Sequence, residues 1–269
     1  MARLVQRYKS EYKAQKRRKV IWKAGAISGG AVILIAGFVY LLFFSKFVDV
    51  RSVSINGAET IEQTDLNSAV SDWLSVKFLT VARRNNLLVL SSKKLVAYLS
   101  GKFPKLESVE VSKKLPHSII VNIVERKPIG VWCLALVGKC FYFDKNLVAY
   151  APTSGSAGFL LANIGDERNR DIVLGGEVAG DIWVKNLLLA RDLLMKNAVN
   201  VQALTIPAGS FDEFNAVTSE GWKIMFSNQT DIARQISSLR IFLKDKIRPE
   251  QRAKLQYIDL RIDDRIYFK

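Results

Sequence analysis

Histidine is almost absent from this chain. His117 is the only one in 269 residues, and it sits in a Leu115-Pro116-His117-Ser118 segment that reads as a solvated turn. That removes the commonest general base and the commonest metal ligand from consideration. A His-Glu-x-x-His helix, a Cys-x-x-Cys pair and a Gly-x-Ser-x-Gly elbow are also missing. Ser10-x-x-Lys13 and Ser91-x-x-Lys94 match a Ser-x-x-Lys pattern, yet no Ser-Asp-Asn or Lys-Thr-Gly accompanies them. Ser91 reads better as a helix cap, and Gly175-Gly176 as a turn, since its spacing is not that of a dinucleotide loop. No catalytic residue, no metal site and no cofactor is expected, and the chain reads as not an enzyme.

Acidic residues are scarce at one end only. The chain holds 40 Lys and Arg against 25 Asp and Glu, a net of +15, but residues 1–23 alone hold nine basic residues and one acid, Glu11. About half the excess charge therefore sits in a short tail, which argues against a uniformly basic domain and against a nucleic-acid partner. From Ala24 to Ser45 there is no charged residue, a run of 22. At the helical rise this reaches roughly 33 Å, enough to cross a hydrocarbon core of about 30 Å. The run ends Leu41-Leu42-Phe43-Phe44-Ser45 with no small-x-small cleavage site, so an uncleaved anchor in a lipid bilayer is expected. Lys13, Lys16, Arg17, Arg18, Lys19 and Lys23 precede it and only Lys46 and Arg51 follow closely. Basic flanks resist translocation, which places the N-terminus, with Ser10, in the cytoplasm and residues 46–269 outside. The same basic run could hold anionic headgroups, and Gly25-x-x-x-Gly29 has the spacing of a helix-pairing face.

Beyond the anchor the periodicity changes. Val53 and Ile55 alternate until Asn56-Gly57; Thr64 or Asp65 can cap a helix carrying Leu66, Val70, Trp73 and Leu74 on one face. After a basic stretch around Val76–Asn86 and an apolar run Leu87–Leu90, Ser91 or Ser92 can cap a second helix with Leu95, Tyr98 and Leu99 inward, ended by Phe103-Pro104. Val109 and Val111, a turn at Lys113–Pro116, and Ile119, Val121 and Ile123 complete a strand-helix-helix-strand-strand order.

This segment resembles a POTRA domain, in the version found in the FtsQ/DivIB bacterial cell-division family. The likeness rests on Val53-Ser54-Ile55-Asn56-Gly57, on Phe103-Pro104 before Val109-Glu110-Val111, and on Lys114-Leu115-Pro116 followed by Ile119 to Pro128 and Gly130-Val131-Trp132. It continues through Phe141-Tyr142-Phe143-Asp144-Lys145-Asn146, where Asn146 can take the positive φ of a tight turn that the family gives to Gly. A helix over 181–197 with Trp183, Leu187, Ala190 and Leu194, a hairpin of Phe214–Thr218 and Trp222–Phe226, and a helix capped by Thr230 or Asp231 with Ile232, Ile236, Leu239 and Leu243 inward follow the same order. The chain closes with Tyr257-Ile258-Asp259-Leu260-Arg261, near the family's terminal Asp-Leu-Arg strand. The expected fold class is α+β: a tail (1–23), a transmembrane helix (24–45), a POTRA-like domain (48–126) and a mixed antiparallel-sheet β domain with flanking helices (127–269).

Cys133 and Cys140 flank Leu-Ala-Leu-Val-Gly-Lys inside an apparent hairpin. Opposed strand positions can close a disulfide, and the extracytoplasmic side lets it persist; the alternative is two buried thiols. In Tyr257–Lys269 the even positions Ile258, Leu260, Ile262, Ile266 and Phe268 are apolar and the odd ones polar or amphipathic, with Asp264 breaking the pattern at a bend. A terminal strand at a sheet edge can take in a strand of another protein, or can be merely terminal. The resemblance implies partners: FtsB-like and FtsL-like single-pass division proteins on the second domain's terminal strands, and other divisome proteins on the POTRA-like domain. Carried onto this chain, the partner-binding residues are Tyr257, Asp259, Arg261, Arg265 and Tyr267. The function so implied is a non-catalytic divisome scaffold that helps control septal peptidoglycan synthesis. The other reading is an extracytoplasmic ligand-binding or sensory domain on an anchor.

Overall fold

The computed structural model describes residues 22–23, 25, 27–38, 40, 48–76, 85–155, 161–168, 170–263 and 265–269. Most of the basic tail (1–21), much of the expected span, the core of the basic stretch (77–84) and Asp264 lie outside them. Among the described residues no helix is long and apolar enough to cross a membrane. Residues 27–38 are helical, with Ile27, Val32, Ile33, Leu34, Ile35 and Phe38 all exposed.

Chain packing separates two compact units, one from residues up to 99 together with 110–122, the other from 100–109 together with 123–269. The first segment runs β1 (Ser52–Asn56), α1 (Gln63–Ser75), α2 (Ser92–Lys102), β2 (Leu106–Lys114) and β3 (Ser118–Glu125). The sheet order is β1-β3-β2, with β1 parallel to β3 from Ser52↔Ser118 to Asn56↔Asn122. Strand β3 buries every second residue, Ile119, Val121, Ile123 and Glu125, because consecutive side chains leave opposite faces. Helix α1 buries Leu66, Ala69, Val70, Trp73 and Leu74. Its N-cap is Glu62, without a side-chain cap, so neither Thr64 nor Asp65 caps it; both already lie inside the first turn. Ser91 does cap α2, its Oγ accepting from Lys94 N at 3.4 Å. Strand β2 runs through Lys113 and Lys114, which leaves Leu115–His117 as the turn. His117 is half-buried there, its carbonyl accepting from Arg51 N at 2.8 Å.

The remaining strands are β4 (Gly130–Leu134), β5 (Lys139–Phe143), β6 (Ala149–Thr153), β7 (Ala162–Asp166), β8 (Val201–Ile206), β9 (Glu213–Thr218), β10 (Lys223–Ser227), β11 (Tyr257–Asp259) and β12 (Tyr267–Phe268). With them come α3 (Asp181–Lys196), α4 (Ile232–Asp245) and α5 (Pro249–Arg252). They form one sheet in the order β12-β11-β10-β9-β8-β7-β4-β5-β6. It is mixed: β10/β11, β4/β7 and β7/β8 pair in parallel, the other neighbours antiparallel. Helices α3 and α4 close over a single core that includes Trp132, Phe143, Phe214, Trp222 and Phe226. Burying a side chain of that size fully contributes about 1.5–3 kcal/mol.

Two local expectations change. Val184 joins Leu187, Ala190 and Leu194 on the buried stripe of α3, whereas Trp183 is only half-buried, turned to receive Arg168 over its ring at 5.0 Å. In the turn after β5 the positive φ (63°) belongs to Leu147, not Asn146. Asp144 explains it: its side chain accepts from Asn146 N and Val148 N at 3.0 and 2.9 Å, holding the loop so that Leu147 is driven into the core.

Candidate functional site

Strand β11 is an inner strand, parallel to β10 on one side and antiparallel to β12 on the other. Its alternation puts Ile258 and, just beyond, Leu260 into the core, and leaves Tyr257 and Asp259 half-buried on the other face. Asp259 is the last residue of the strand, and Arg261 folds back onto it. Arg261 N donates to Oδ1 at 3.0 Å, Nε to Oδ1 at 2.9 Å and NH2 to Oδ2 at 2.7 Å. The remaining NH1 donates to Glu213 Oε2, at the start of β9, at 2.8 Å. The planar fork makes this geometry specific to arginine. Burial alone would push the Asp259 carboxyl up, but the Arg261 hydrogen bonds and charge together hold it below its ordinary value. The Asp259 hydrogen bond in turn raises Arg261 further, against its desolvation and with help from Glu213.

The same hook recurs at the end of β7. Arg168 N and Nε donate to Asp166 Oδ1 at 3.0 and 2.8 Å, and NH2 to Oδ2 at 2.9 Å. An Asp-x-Arg triplet at the carboxyl end of a parallel strand thus closes on itself twice. At β7 the guanidinium is stacked on Trp183; at β11 it reaches across to β9.

Beyond Arg261 the chain bends at Ile262-Asp263 and returns as β12. The bend expected beside Asp263 is present; what differs is the side of two apolar residues, for Ile262 and Phe268, expected inward, are exposed at 53% and 51%, while Ile266 stays half-buried against the core. Tyr267 is exposed at 45%, and Arg265 is exposed as well. Strand β12 pairs with β11 through Ile258↔Phe268 and Asp259↔Tyr267, and Lys269 N and O both bond Tyr257 across the ladder, at 3.1 and 3.3 Å. In an antiparallel ladder bonded pairs alternate with unbonded ones, so the N–H and C=O of Phe268 point away from β11. There the sheet ends. Beside this edge, the Phe242 ring of α4 lies 5.0 Å from that of Phe268. A groove of about 400 Å³ runs between α4 and the returning segment, lined by Ile241, Phe242, Leu260, Ile262, Arg265 and Ile266 among others.

Of the residues singled out in the sequence, Tyr257, Asp259, Arg261, Arg265 and Tyr267 therefore fall along the last two strands and the bend between them. They differ in role: Arg261 is committed to Asp259 and Glu213, while Arg265 makes no ion pair among the described residues. Glu213 and Phe242 carried no sequence signal, because only the sheet order brings them here. Cys133 and Cys140 face each other directly across β4 and β5 and form a disulfide, Cα–Cα 4.0 Å, at the other end of the sheet. Gly155 (φ 91°) passes over it; a Cβ there would meet Cys140 Sγ at 2.8 Å. Among the described residues no group of three His, Cys, Asp or Glu side chains could hold a metal ion.

The architecture is thus that of an α+β protein with a large mixed sheet whose C-terminal edge is uncovered among the described residues. Two curated proteins resemble it, each named Cell division protein FtsQ. The one from Streptomyces collinus is 21% identical over 223 residues, which cover 79% of this chain and 77% of the relative. The one from Streptomyces venezuelae is 25% identical over 107 residues, 40% of this chain and 36% of the relative. No protein-family profile matches the chain. The likeness to the FtsQ/DivIB family read from the motifs is matched by both relatives.

Proposed function

We propose that the chain is a non-catalytic, membrane-anchored cell-division scaffold of the FtsQ/DivIB type, acting at the division septum. Its C-terminal edge takes up a strand from an FtsB-like or FtsL-like single-pass partner, and so helps control septal peptidoglycan synthesis. The observation that carries the reading is the uncovered β12 edge, with the Phe268 backbone groups turned outward, in a chain resembling proteins named for cell division. Main-chain hydrogen bonds would supply affinity there, and Arg265 and Tyr267, exposed beside the edge, specificity. The β-α-α-β-β order with β3 central supports a POTRA-like domain that recruits other divisome proteins. The exposed apolar helix over 27–38, following the basic tail, supports the bilayer anchor with the N-terminus in the cytoplasm.

The test is fluorescence imaging of the full chain in dividing cells of its host. Gathering at mid-cell is expected; a uniform envelope distribution would sink the cell-division reading. Co-purification with an FtsB-like protein tests the edge separately.

A further inference from the structure

At the far end of α4 lies a second groove, of about 760 Å³, lined by Leu243, Lys244, Asp245, Lys246, Ile247, Arg248, Gln251 and Arg252. Leu243 and Ile247 are buried and form its floor, while Lys244, Lys246 and Arg248 are exposed around it. Four cations face a single carboxylate, Asp245. None of the four makes a salt bridge among the described residues. Arg252 is the telling one. Its Nε is buried and has no hydrogen-bond partner. A buried charged donor left unmade is costly, and such groups are ordinarily paired. The Gln251 amide oxygen is already taken by Arg248 N at 3.1 Å, so only its N–H donors can turn to a ligand.

We propose that this groove is an oxyanion site for a phosphate group. Arginine's planar fork matches tetrahedral phosphate oxygens, and the lysines add point charge. A doubly charged phosphate balances the lining better than one carboxylate does. The groove is larger than a bare phosphate, so the group is carried on a larger molecule, either a soluble phosphate ester or polymer or a lipid headgroup. The site owes nothing to the cell-division reading and stands or falls apart from it.

The test uses the full chain in phosphatidylcholine nanodiscs, titrated calorimetrically with inorganic pyrophosphate. Saturable binding is expected, weakened about tenfold or more by Arg252→Gln, as removal of a charged hydrogen-bond partner predicts. Arg252→Lys, which keeps the charge and loses the fork, should fall between. The double variant Lys244→Gln/Arg248→Gln, altered only at exposed positions, decides the matter if Arg252→Gln does not fold. Repeating the titration in nanodiscs that contain phosphatidylglycerol separates the two sources. A weaker apparent affinity for pyrophosphate means the headgroup occupies the site, and an unchanged one means a soluble phosphate does. Absence of saturable binding, binding undiminished in the variants, or tighter binding of a polyglutamate peptide would overturn the proposal.

Discussion

The nine-stranded sheet has two ends, and they are finished in opposite ways. At the β6 end the edge is closed. Ala149 N donates to Gly176 O at 2.9 Å and Gly175 N to Ala149 O at 2.7 Å, so a loop covers the first edge groups. Pro152 brings no N–H to the strand, and Ala149, Tyr150 and Ala151 are buried. The Cys133–Cys140 disulfide ties together β4 and β5, the two strands leading to this edge. At the β12 end, among the described residues, there is no covering loop, no proline and no crosslink, only two exposed residues with the Phe268 backbone groups turned outward. Proteins usually blunt their edges against stray pairing. The proposal that β12 takes up a partner strand rests on this contrast between the two ends.

The comparison can be broken from its strong side first. Phe143→Ala removes a fully buried ring beneath β5 and should cost about 3–5 kcal/mol, read as a lowered denaturant midpoint. Replacing both Cys133 and Cys140 with Ala should cost about 2–3 kcal/mol on the chain-entropy model, and thiol titration of the denatured parent should find none free without reductant. At the other end, Phe268→Pro gives up the Phe242 ring contact but no ladder hydrogen bond, so it should cost only about 0.5–1.5 kcal/mol, while abolishing capture of an FtsB-like partner. Capture equal to that of the parent would remove β12 as the docking edge. Arg265→Glu should weaken capture without altering the fold; Arg261→Glu is a poorer probe, because it breaks the pairs with Asp259 and Glu213.

The smallest effects are titrations of opposite sign. Burial, reinforced by the Asp144 charge, pushes the Tyr150 phenol at the β6 end up to about 12. Its folded value lies above the unfolded one, so its contribution is intact below about pH 10 and lost as pH rises from there. Asp259 at the β12 end is held low, so its contribution is intact above about pH 4 and lost as pH falls through the folded value. Near-ultraviolet circular dichroism followed through both limits should show Tyr150→Phe flattening the alkaline loss and Asp259→Asn the acid loss. Parallel behaviour of both variants at one limit would remove the distinction.

Much of this was legible in the residues. The alternation of Ile119, Val121 and Ile123 defined β3, and the Asp231 cap, accepting from Ala233 N at 2.7 Å, began α4 as read. Where structure departs from the local pattern, a neighbour overrules it: Asp144 moves the positive φ from Asn146 to Leu147, and around the bend at Ile262-Asp263 the apolar Ile262 and Phe268 lie exposed rather than inward.

By itself the sequence determined what depends on near neighbours: the strand-helix-helix-strand-strand order of the first segment, the buried stripes of most helices, the apolar run after the basic tail, and the close approach of two cysteines across a short hairpin; β6, β7, β8 and α5 carried no comparable local pattern. Tertiary structure alone decided that β4 lies beside β7, that Arg261 meets Glu213 48 residues away, and that, among the described residues, one sheet edge is covered and the other open. The physical reason is one of range. Periodicity and capping act over a few residues, whereas strand order is chosen by which distant apolar faces can share one core.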